Sequence, residues 1–332
     1  MGEFNVLSIM EQIPTEAAAY EFMEKLRWSG TPECPHCGNT ERCYFLTPAN
    51  GKSRATSTGA ESQRRLWKCG ACRKKFSVLT GTVMHGTKIP VRTWVLVMFE
   101  MCCCKNGVSA REIQRRYSLT PKSAWFLTHR IREAMRNDKL VSLGGDGAVI
   151  VADETWVGGR PKNKHRQGRP TYLPGGGRGR AGAATKKIPV LTLIDRSSGE
   201  ARSAVIRDVN GATLRKAIAE QVDMAGSTLN TDAAPAYRQL GQEFTDHQWV
   251  DHSSYEYVRG DVTSNQAENY FSQLKRSIDG THHKLSREHL PRYLSEFDFR
   301  YTTRRIGDAK RFEQLAAQMA GRRLSYRSVA GS

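Results

Sequence analysis

An apolar stripe with helical spacing marks the stretch from Asp261 to Arg276. Thr263 and Gln266 have the spacing of a capping box, which satisfies the free amides of a first helical turn. Beyond them, apolar residues recur three, four, seven and eleven positions after the first, which predicts one buried helix face. The residues of this stripe are Ala267, Tyr270, Phe271, Leu274 and Ile278. Glu268 and Lys275 fall beside it, so the pattern predicts a helix that presents a carboxylate and an amine to a groove. A surface helix with solvated charges has the same pattern.

Strand-like runs precede this helix. Residues 149–157 form a mostly apolar run with two acids near its end, and residues 188–195 and 201–209 follow as strands on either side of a turn. A shorter strand over residues 227–231 ends in Asp232. The first three runs predict an antiparallel meander, and the helices between and after the later strands make this half of the chain mixed α and β.

Two helices joined by a tight turn are predicted further upstream. Ser109 caps the first helix, Tyr117 to Thr120 form the turn, and Pro121 takes the first position of a second helix that runs to about Met135. This order is typical of a helix-turn-helix, whose second helix enters the major groove of DNA. The predicted outer positions of that helix are Lys122, Ser123, Trp125 and His129. An ordinary helical hairpin is the alternative.

The charge balance adds a partner to this picture. The 332 residues carry 51 Lys and Arg against 33 Asp and Glu, a formal net charge of +18. Such an excess predicts a polyanion, either nucleic acid or an anionic membrane surface. The longest apolar run, Trp94 to Cys104, is interrupted by Glu100 and is too short to span a bilayer, which disfavours a membrane protein. The first 27 residues lack the apolar core of a signal peptide, so a cytoplasmic location is expected.

Cysteine spacing predicts a zinc site. Two CxxC pairs, Cys34 with Cys37 and Cys69 with Cys72, can each form a knuckle whose thiolates converge on tetrahedral Zn²⁺. The segment between the pairs is long, but it is rich in Gly, Ser and Thr and is consistent with an extended hairpin loop. We therefore predict a structural zinc ribbon, with Cys43 as a spare thiol and four buried free cysteines as the alternative.

A basic insertion lies between the first two strands of the predicted meander. Residues 158–187 combine nine cationic residues with eight glycines and no acid, and they lack periodicity. A segment of this kind predicts a flexible arm that contacts DNA phosphates with little sequence preference. Its candidate DNA-binding residues are Arg160, Lys162, Lys164, Arg166, Arg178 and Arg180.

Three carboxylates on separate elements carry the candidate chemistry. Asp153 lies near the end of the first strand, Asp232 ends a later strand, and Glu268 lies on the helix after it. Such a set suits a two-metal phosphoryl-transfer site, and hard carboxylate oxygens favour Mg²⁺ or Mn²⁺. Lys275, about two turns beyond Glu268 on nearly the same face, could contact a DNA phosphate beside the scissile bond.

The order and spacing of these residues resemble the DDE transposases and retroviral integrases. More narrowly, the chain is similar to bacterial insertion-sequence transposases with an N-terminal zinc ribbon, which are relatives of the eukaryotic Merlin elements. The stretches that carry the resemblance are residues 34–37, 76–82, 153–159, 257–260, 265–269 and 293–300.

The resemblance implies a division of the chain and a role for its acids. It implies an α+β multidomain protein with an N-terminal helix and zinc ribbon over residues 1–88, a helix-turn-helix region over 89–143 and an RNase H-like catalytic domain over 144–332. Asp153 and Asp232 would be metal ligands and Glu268 the third acid. Some members have Asn in the third place, so Asn265 is the alternative there.

The activity implied is metal-dependent strand cleavage and strand transfer at terminal inverted repeats, on double-stranded DNA. Because two DNA ends must be joined, a homodimer or higher oligomer is expected. The rival hypotheses are a non-catalytic zinc-ribbon regulator or domesticated transposase, and a nuclease that cleaves without joining.

Overall fold

The structure is a computed structural model that describes residues 5–47, 62–138, 141–158, 187–251, 256 and 258–330. The chain divides into two compact units, Met1–Arg136 with Thr303–Ser332, and Asn137–Thr302. None of the helices in the described ranges is both long and apolar enough to cross a membrane.

The helices and strands are numbered in chain order. The helices are α1 (Val6–Gln12), α2 (Glu16–Trp28), α3 (Val91–Cys103), α4 (Ala110–Arg116), α5 (Pro121–Met135), α6 (Gly211–Ala219), α7 (Asn265–Ser277), α8 (Leu290–Thr302), α9 (Asp308–Ala317) and α10 (Tyr326–Ala330). The strands are β1 (Cys43–Phe45), β2 (Trp67–Cys69), β3 (Lys75–Phe76), β4 (Leu143–Gly144), β5 (Ala148–Val157), β6 (Ile188–Asp195), β7 (Ala201–Val205), β8 (Val222–Asp223), β9 (Ser227–Asp232), β10 (Asp246–Val250), β11 (Val258–Arg259) and β12 (Val262–Thr263).

The first unit contains a small antiparallel sheet, β1-β2-β3, and a group of helices. Helices α4 and α5 lie where the sequence predicted them. Ser109 and Glu112 form a reciprocal capping box at α4, and the Thr120 side chain accepts a hydrogen bond from the Ser123 amide at the start of α5. The prediction that His129 lies on the outer face is wrong. The half of α5 that contains it packs against other helices, and His129 is fully buried.

The second unit is built on a five-stranded sheet with the order β10-β9-β5-β6-β7. Strands β5, β6 and β7 form the predicted antiparallel meander, whereas β9 and β10 are parallel to β5 and to each other. This is the RNase H-like arrangement. Residues 235–237 and 240–243 form short 3₁₀ helices, and β10 was not predicted.

Helices cover both faces of this sheet. On one face α7 and α8 form a core with side chains of β5, β6 and β7, and all five residues of the apolar stripe are buried there. On the other face α6 and the 3₁₀ segment form a second core around Leu229 and Tyr237. Because side chains alternate along a strand, odd-numbered residues of β5 face α7 and even-numbered residues face Tyr237.

The C-terminal segment differs from its predicted place. The expected catalytic domain extended to residue 332, but the second unit ends at Thr302 and the following residues belong to the first unit. The ring of Phe312 on α9 lies 6.1 Å from Phe22 and 6.4 Å from Phe99. The apolar face of α9 is therefore buried by α2 and α3.

Candidate active site and metal centre

Asp153 and Asp232 occupy matching positions on neighbouring strands. Strands β5 and β9 pair in parallel with Val151 opposite Asn230. Asp153 and Asp232 each lie two residues beyond this last pair, and Asp232 is near enough for its charge to raise the pKa of Asp153. Both side chains project from the face that α7 covers, because they have the same parity as Val151 and Asn230.

Glu268 approaches Asp153 from α7. The predicted capping box at Thr263 is wrong, because Thr263 lies in β12 and the helix begins at Asn265. The Thr263 hydroxyl instead accepts a hydrogen bond from the Asn265 amide at 3.1 Å. Glu268 is exposed at the edge of the buried stripe, close enough for its charge to contribute to the raised pKa of Asp153. Asn265 and Lys275 are also exposed on this helix.

The carboxyl group of Asp153 has an electrostatically unfavourable environment. Burial is the largest cause that raises its pKa to about 7, and the charges of Asp232 and Glu154 add to it. A hydrogen bond from the Glu154 amide at 2.7 Å acts in the opposite direction. Asp232 accepts a hydrogen bond from the Ala234 amide at 3.1 Å. In the part of the chain that the structure describes, no Lys or Arg forms an ion pair with Asp153 or Asp232.

Glu154 lies on the opposite face of the sheet. It accepts a short hydrogen bond from the Tyr237 hydroxyl, and burial raises the pKa of the Glu154 carboxyl to about 7. Tyr237 is fully buried, and its own pKa is raised well above the ordinary value by burial and by Glu154. This pair supports the strand that carries Asp153. The pairing could not be read from the sequence, because Tyr237 lies 83 residues away in an irregular segment.

The carboxylates fit a divalent cation by their chemistry. Carboxylate oxygens are hard ligands, and they favour a hard cation such as Mg²⁺ or Mn²⁺. Among the described residues, only the four cysteines form a group whose ligand atoms all lie within 4.8 Å of one another. The carboxylate oxygens of Asp153, Asp232 and Glu268 are more widely spaced. Asp153 and Asp232 would hold a divalent cation at this site, with Glu268 as the third carboxylate.

The candidate DNA-contacting residues are divided between described and undescribed parts of the chain. Lys122 is exposed on α5 and lies 4.2 Å over the ring of Tyr326 on α10, and Ser123 is half-buried beside it. Residues 159–186 lie outside the described residues. The predicted contacts in that range are Arg160, Lys162, Lys164, Arg166, Arg178 and Arg180.

The four cysteines of the predicted zinc site converge. Cys34 and Cys72 have their sulfur atoms 3.6 Å apart, and the sulfurs of Cys37 and Cys69 lie 3.7 Å apart. Tetrahedral Zn²⁺ with bonds of about 2.3 Å requires sulfur separations of about 3.8 Å. Cys43 lies outside this group and donates a hydrogen bond to the Asn39 carbonyl at 3.3 Å. The arrangement is a structural zinc site on the β1-β2-β3 sheet.

Comparisons with known proteins agree with these features. Residues 143–302 match the ISXO2-like transposase domain, and residues 14–75 match the transposase zinc-ribbon domain. A protein of Halobacterium salinarum, described as an uncharacterized protein in transposable element ISH50, is 26% identical over 292 residues, which cover 86% of this chain and 90% of its own.

Two solved structures are distant matches, each 13% identical to this chain. A pre-cleavage Mos1 transpososome gives a TM-score of 0.29 and covers 66% of this chain and 76% of its own. A simian T-cell lymphotropic virus intasome in complex with the PP2A regulatory subunit B56 gamma gives a TM-score of 0.27. That match covers 57% of this chain and 63% of the viral chain.

An RNase H-like unit preceded by a zinc ribbon, with both parts matched by transposase domains, places this chain among the transposases. It belongs to the ISXO2-like insertion-sequence transposases that carry an N-terminal zinc ribbon.

Proposed function

We propose that the chain cleaves the ends of its DNA element and joins them to target DNA by metal-dependent phosphoryl transfer. The observation that carries this proposal is the position of Asp153 and Asp232 just beyond the paired part of the parallel strands β5 and β9, where the charges of Asp232 and of Glu268 on α7 both act on Asp153. A regulator that only binds DNA has no need to hold several acids together at such an electrostatic cost.

Each acid has a proposed role. Asp153 and Asp232 would hold the divalent cations, and Glu268 would complete their ligands, with Asn265 as the alternative third group. The bound Mg²⁺ or Mn²⁺ would activate the attacking oxygen and stabilise the leaving one. In cleavage, water attacks the phosphorus and the bond to the 3′ oxygen breaks. In strand transfer, that 3′-hydroxyl attacks a target phosphodiester and displaces its 3′ oxygen.

Double-stranded DNA is the proposed partner, at terminal inverted repeats and at the target. The net charge of +18, the helix-turn-helix with Lys122 and Ser123, the basic insertion and Lys275 near Glu268 all favour it. A homodimer or higher oligomer follows from the need to bring two DNA ends together. This function places the chain in the cytoplasm, with access to the nucleoid.

The test is cleavage of DNA that carries the element's ends, in buffer with Mg²⁺ or Mn²⁺. Asp232→Asn is expected to lower the nicking rate by at least about 10³-fold, whereas Asp246→Asn, the same change at an exposed position of β10, keeps the wild-type rate. If Asp232→Asn nicks as fast as the wild type, the assignment of the site is wrong. Joined products distinguish a transposase from a nuclease.

The identity of the third group needs its own pair of variants. Glu268→Gln removes the charge but keeps the shape, and Asn265→Ala removes the competing amide. Loss of nicking in Glu268→Gln with retention in Asn265→Ala assigns the role to Glu268. The reverse result assigns it to Asn265.

A further inference from the structure

The carboxyl group of Asp298 lies on the side of the sheet that α7 covers, but it has no role in the proposed chemistry. Asp298 lies on α8, and burial raises the pKa of its carboxyl group to about 7. One oxygen accepts hydrogen bonds from the Tyr270 hydroxyl at 2.7 Å and the Ser203 hydroxyl at 2.8 Å. The other accepts from the Ser203 amide at 2.9 Å. Asp298 thus joins three elements, α7, β7 and α8, through one side chain.

This network continues across the sheet toward the acids. The Ser203 hydroxyl lies 2.9 Å from that of Thr192, and the two residues are directly paired across β7 and β6. Thr192 is in turn directly paired with Asp153 across β6 and β5. One row of the sheet therefore has Asp153 at one position and the Asp298 network two strands away, on the same face.

Helix α7 acts on both positions of that row, through hydrogen bonds at one and through charge at the other. Its Tyr270 is fully buried and reaches Ser203 and Asp298, while Glu268, two residues earlier, lies near Asp153. A rotation or shift of α7 that breaks the Tyr270 hydrogen bonds would also move Glu268. The carboxylate of Asp298 accepts from three donors, so an amide in its place would turn an NH₂ group toward at least one of them.

We propose that Asp298 is a positioning residue for the carboxylate site: it holds Tyr270 against Ser203 and so keeps Glu268 beside Asp153. This inference rests on the proposed function. The sequence stretch 293–300, which contributed to the resemblance without an assigned role, thereby acquires one.

The test compares metal binding with stability in the full-length, zinc-loaded protein. Asp298→Asn and Tyr270→Phe are measured for the Mn²⁺ concentration that half-saturates both nicking and the Mn²⁺-induced rise in melting temperature. Both variants are expected to raise that concentration roughly tenfold, the usual effect of losing a group that orients a metal ligand. Tyr270→Phe removes a single oxygen and keeps the buried ring, so it decides the question if Asp298→Asn does not fold.

Asp195→Asn is the matched control. Asp195 is also a hydrogen-bonded carboxylate in this unit, and it accepts from the amides and hydroxyls of Ser197 and Ser198. It lies opposite Ile150, three residues beyond Thr192 on β6, and it shares the face of the sheet away from α7. Its variant is expected to lower the melting temperature without changing the Mn²⁺ midpoint. If Asp298→Asn and Tyr270→Phe behave like this control, Asp298 is only structural and the proposal is overturned.

A double variant tests whether Asp298 acts through Glu268. In the Glu268→Gln background, Asp298→Asn is expected to cause little further change in the Mn²⁺ midpoint of the melting curve, because the group that it positions is already lost. A full additional tenfold change would contradict the mechanism. The two proposals also fail differently. A wild-type protein that never nicks DNA in Mn²⁺ overturns both, whereas normal wild-type nicking with unchanged midpoints in the variants overturns the positioning role alone.

Discussion

Replacing Asp153 with asparagine is expected to stabilise the protein in the absence of catalytic metal, although Asp153 is proposed to be essential for activity. Burial and the neighbouring acids raise the pKa of its carboxyl group from 3.8 to about 7. Since a tenfold change in proton affinity corresponds to about 1.4 kcal/mol, keeping Asp153 ionised above pH 7 costs the folded state about 4 kcal/mol relative to the unfolded chain.

The pH dependence of this effect has a defined sign. Below pH 3.8 the carboxyl is protonated in both the folded and the unfolded chain, so there is no penalty. As pH rises from there to about 7, the unfolded chain releases the proton and the folded chain keeps it, so stability falls. Asparagine never ionises and avoids that loss. Because burying a polar amide has a cost of its own, we expect about half of the penalty to be recovered, about 2 kcal/mol, or a melting temperature about 4–8 °C higher.

Differential scanning calorimetry at about pH 5 and about pH 8 measures this difference. The buffer should contain zinc but no Mg²⁺, Mn²⁺ or chelator, so that the zinc ribbon stays loaded. Asp153→Asn should melt at a higher temperature than the wild type at about pH 8, and the difference should be smaller at about pH 5. Asp246→Asn, the control for the same chemical change, should melt at the wild-type temperature. Added Mn²⁺ should raise the melting temperature of the wild type and not of the variant. A variant that melts at or below the wild type at about pH 8 would refute the electrostatic reasoning.

Three further predictions concern other parts of the chain. Cys69→Ser should abolish zinc binding, and full zinc content by metal analysis would contradict the four-cysteine site. Gly144→Ala should lower the free energy of unfolding, measured by urea titration, by about 2–4 kcal/mol. The reason is that Gly144 has a φ of +83° and that an added Cβ would lie 2.1 Å from the Ser227 hydroxyl. A variant as stable as the wild type would contradict this. Lys122→Ala should weaken binding to the element's ends and reduce the salt dependence of the affinity by about one ion, by fluorescence anisotropy; an unchanged slope would remove Lys122 from the interface.

Elements with a clear period could be predicted from the sequence. The long apolar runs of β5 and β6 and the stripe of α7 each report burial on a defined face, which local spacing encodes. Strand β10 could not be predicted because it is an edge strand of mostly polar, exposed residues and shows no apolar alternation. The predicted cap at Thr263 failed because tertiary pairing places that residue in β12.

Partners are harder to predict than elements. The amphipathic pattern of α9 predicts a buried face but carries no information about which unit covers it, and the structure gives that role to α2 and α3. The same limit applies to Asp298, which in sequence is one acid within an aromatic helix. Its hydrogen bonds join residues 28 and 95 positions away, and no local pattern encodes contacts at that separation.

The register of the sheet explains why the acids and their proposed support lie together. Parallel pairing of β5 with β9 leaves Asp153 and Asp232 each two residues beyond the same pair, and antiparallel pairing of β5 with β6 and of β6 with β7 brings Thr192 and Ser203 into the row of Asp153. A shift of one residue in either pairing would turn an acid or a hydroxyl to the opposite face of the sheet. The long apolar run of β6, buried along its whole length, opposes such a shift. The packing that fixes the fold therefore also fixes the spacing of the carboxylates, and α7 only has to be held at one further point for Glu268 to join them.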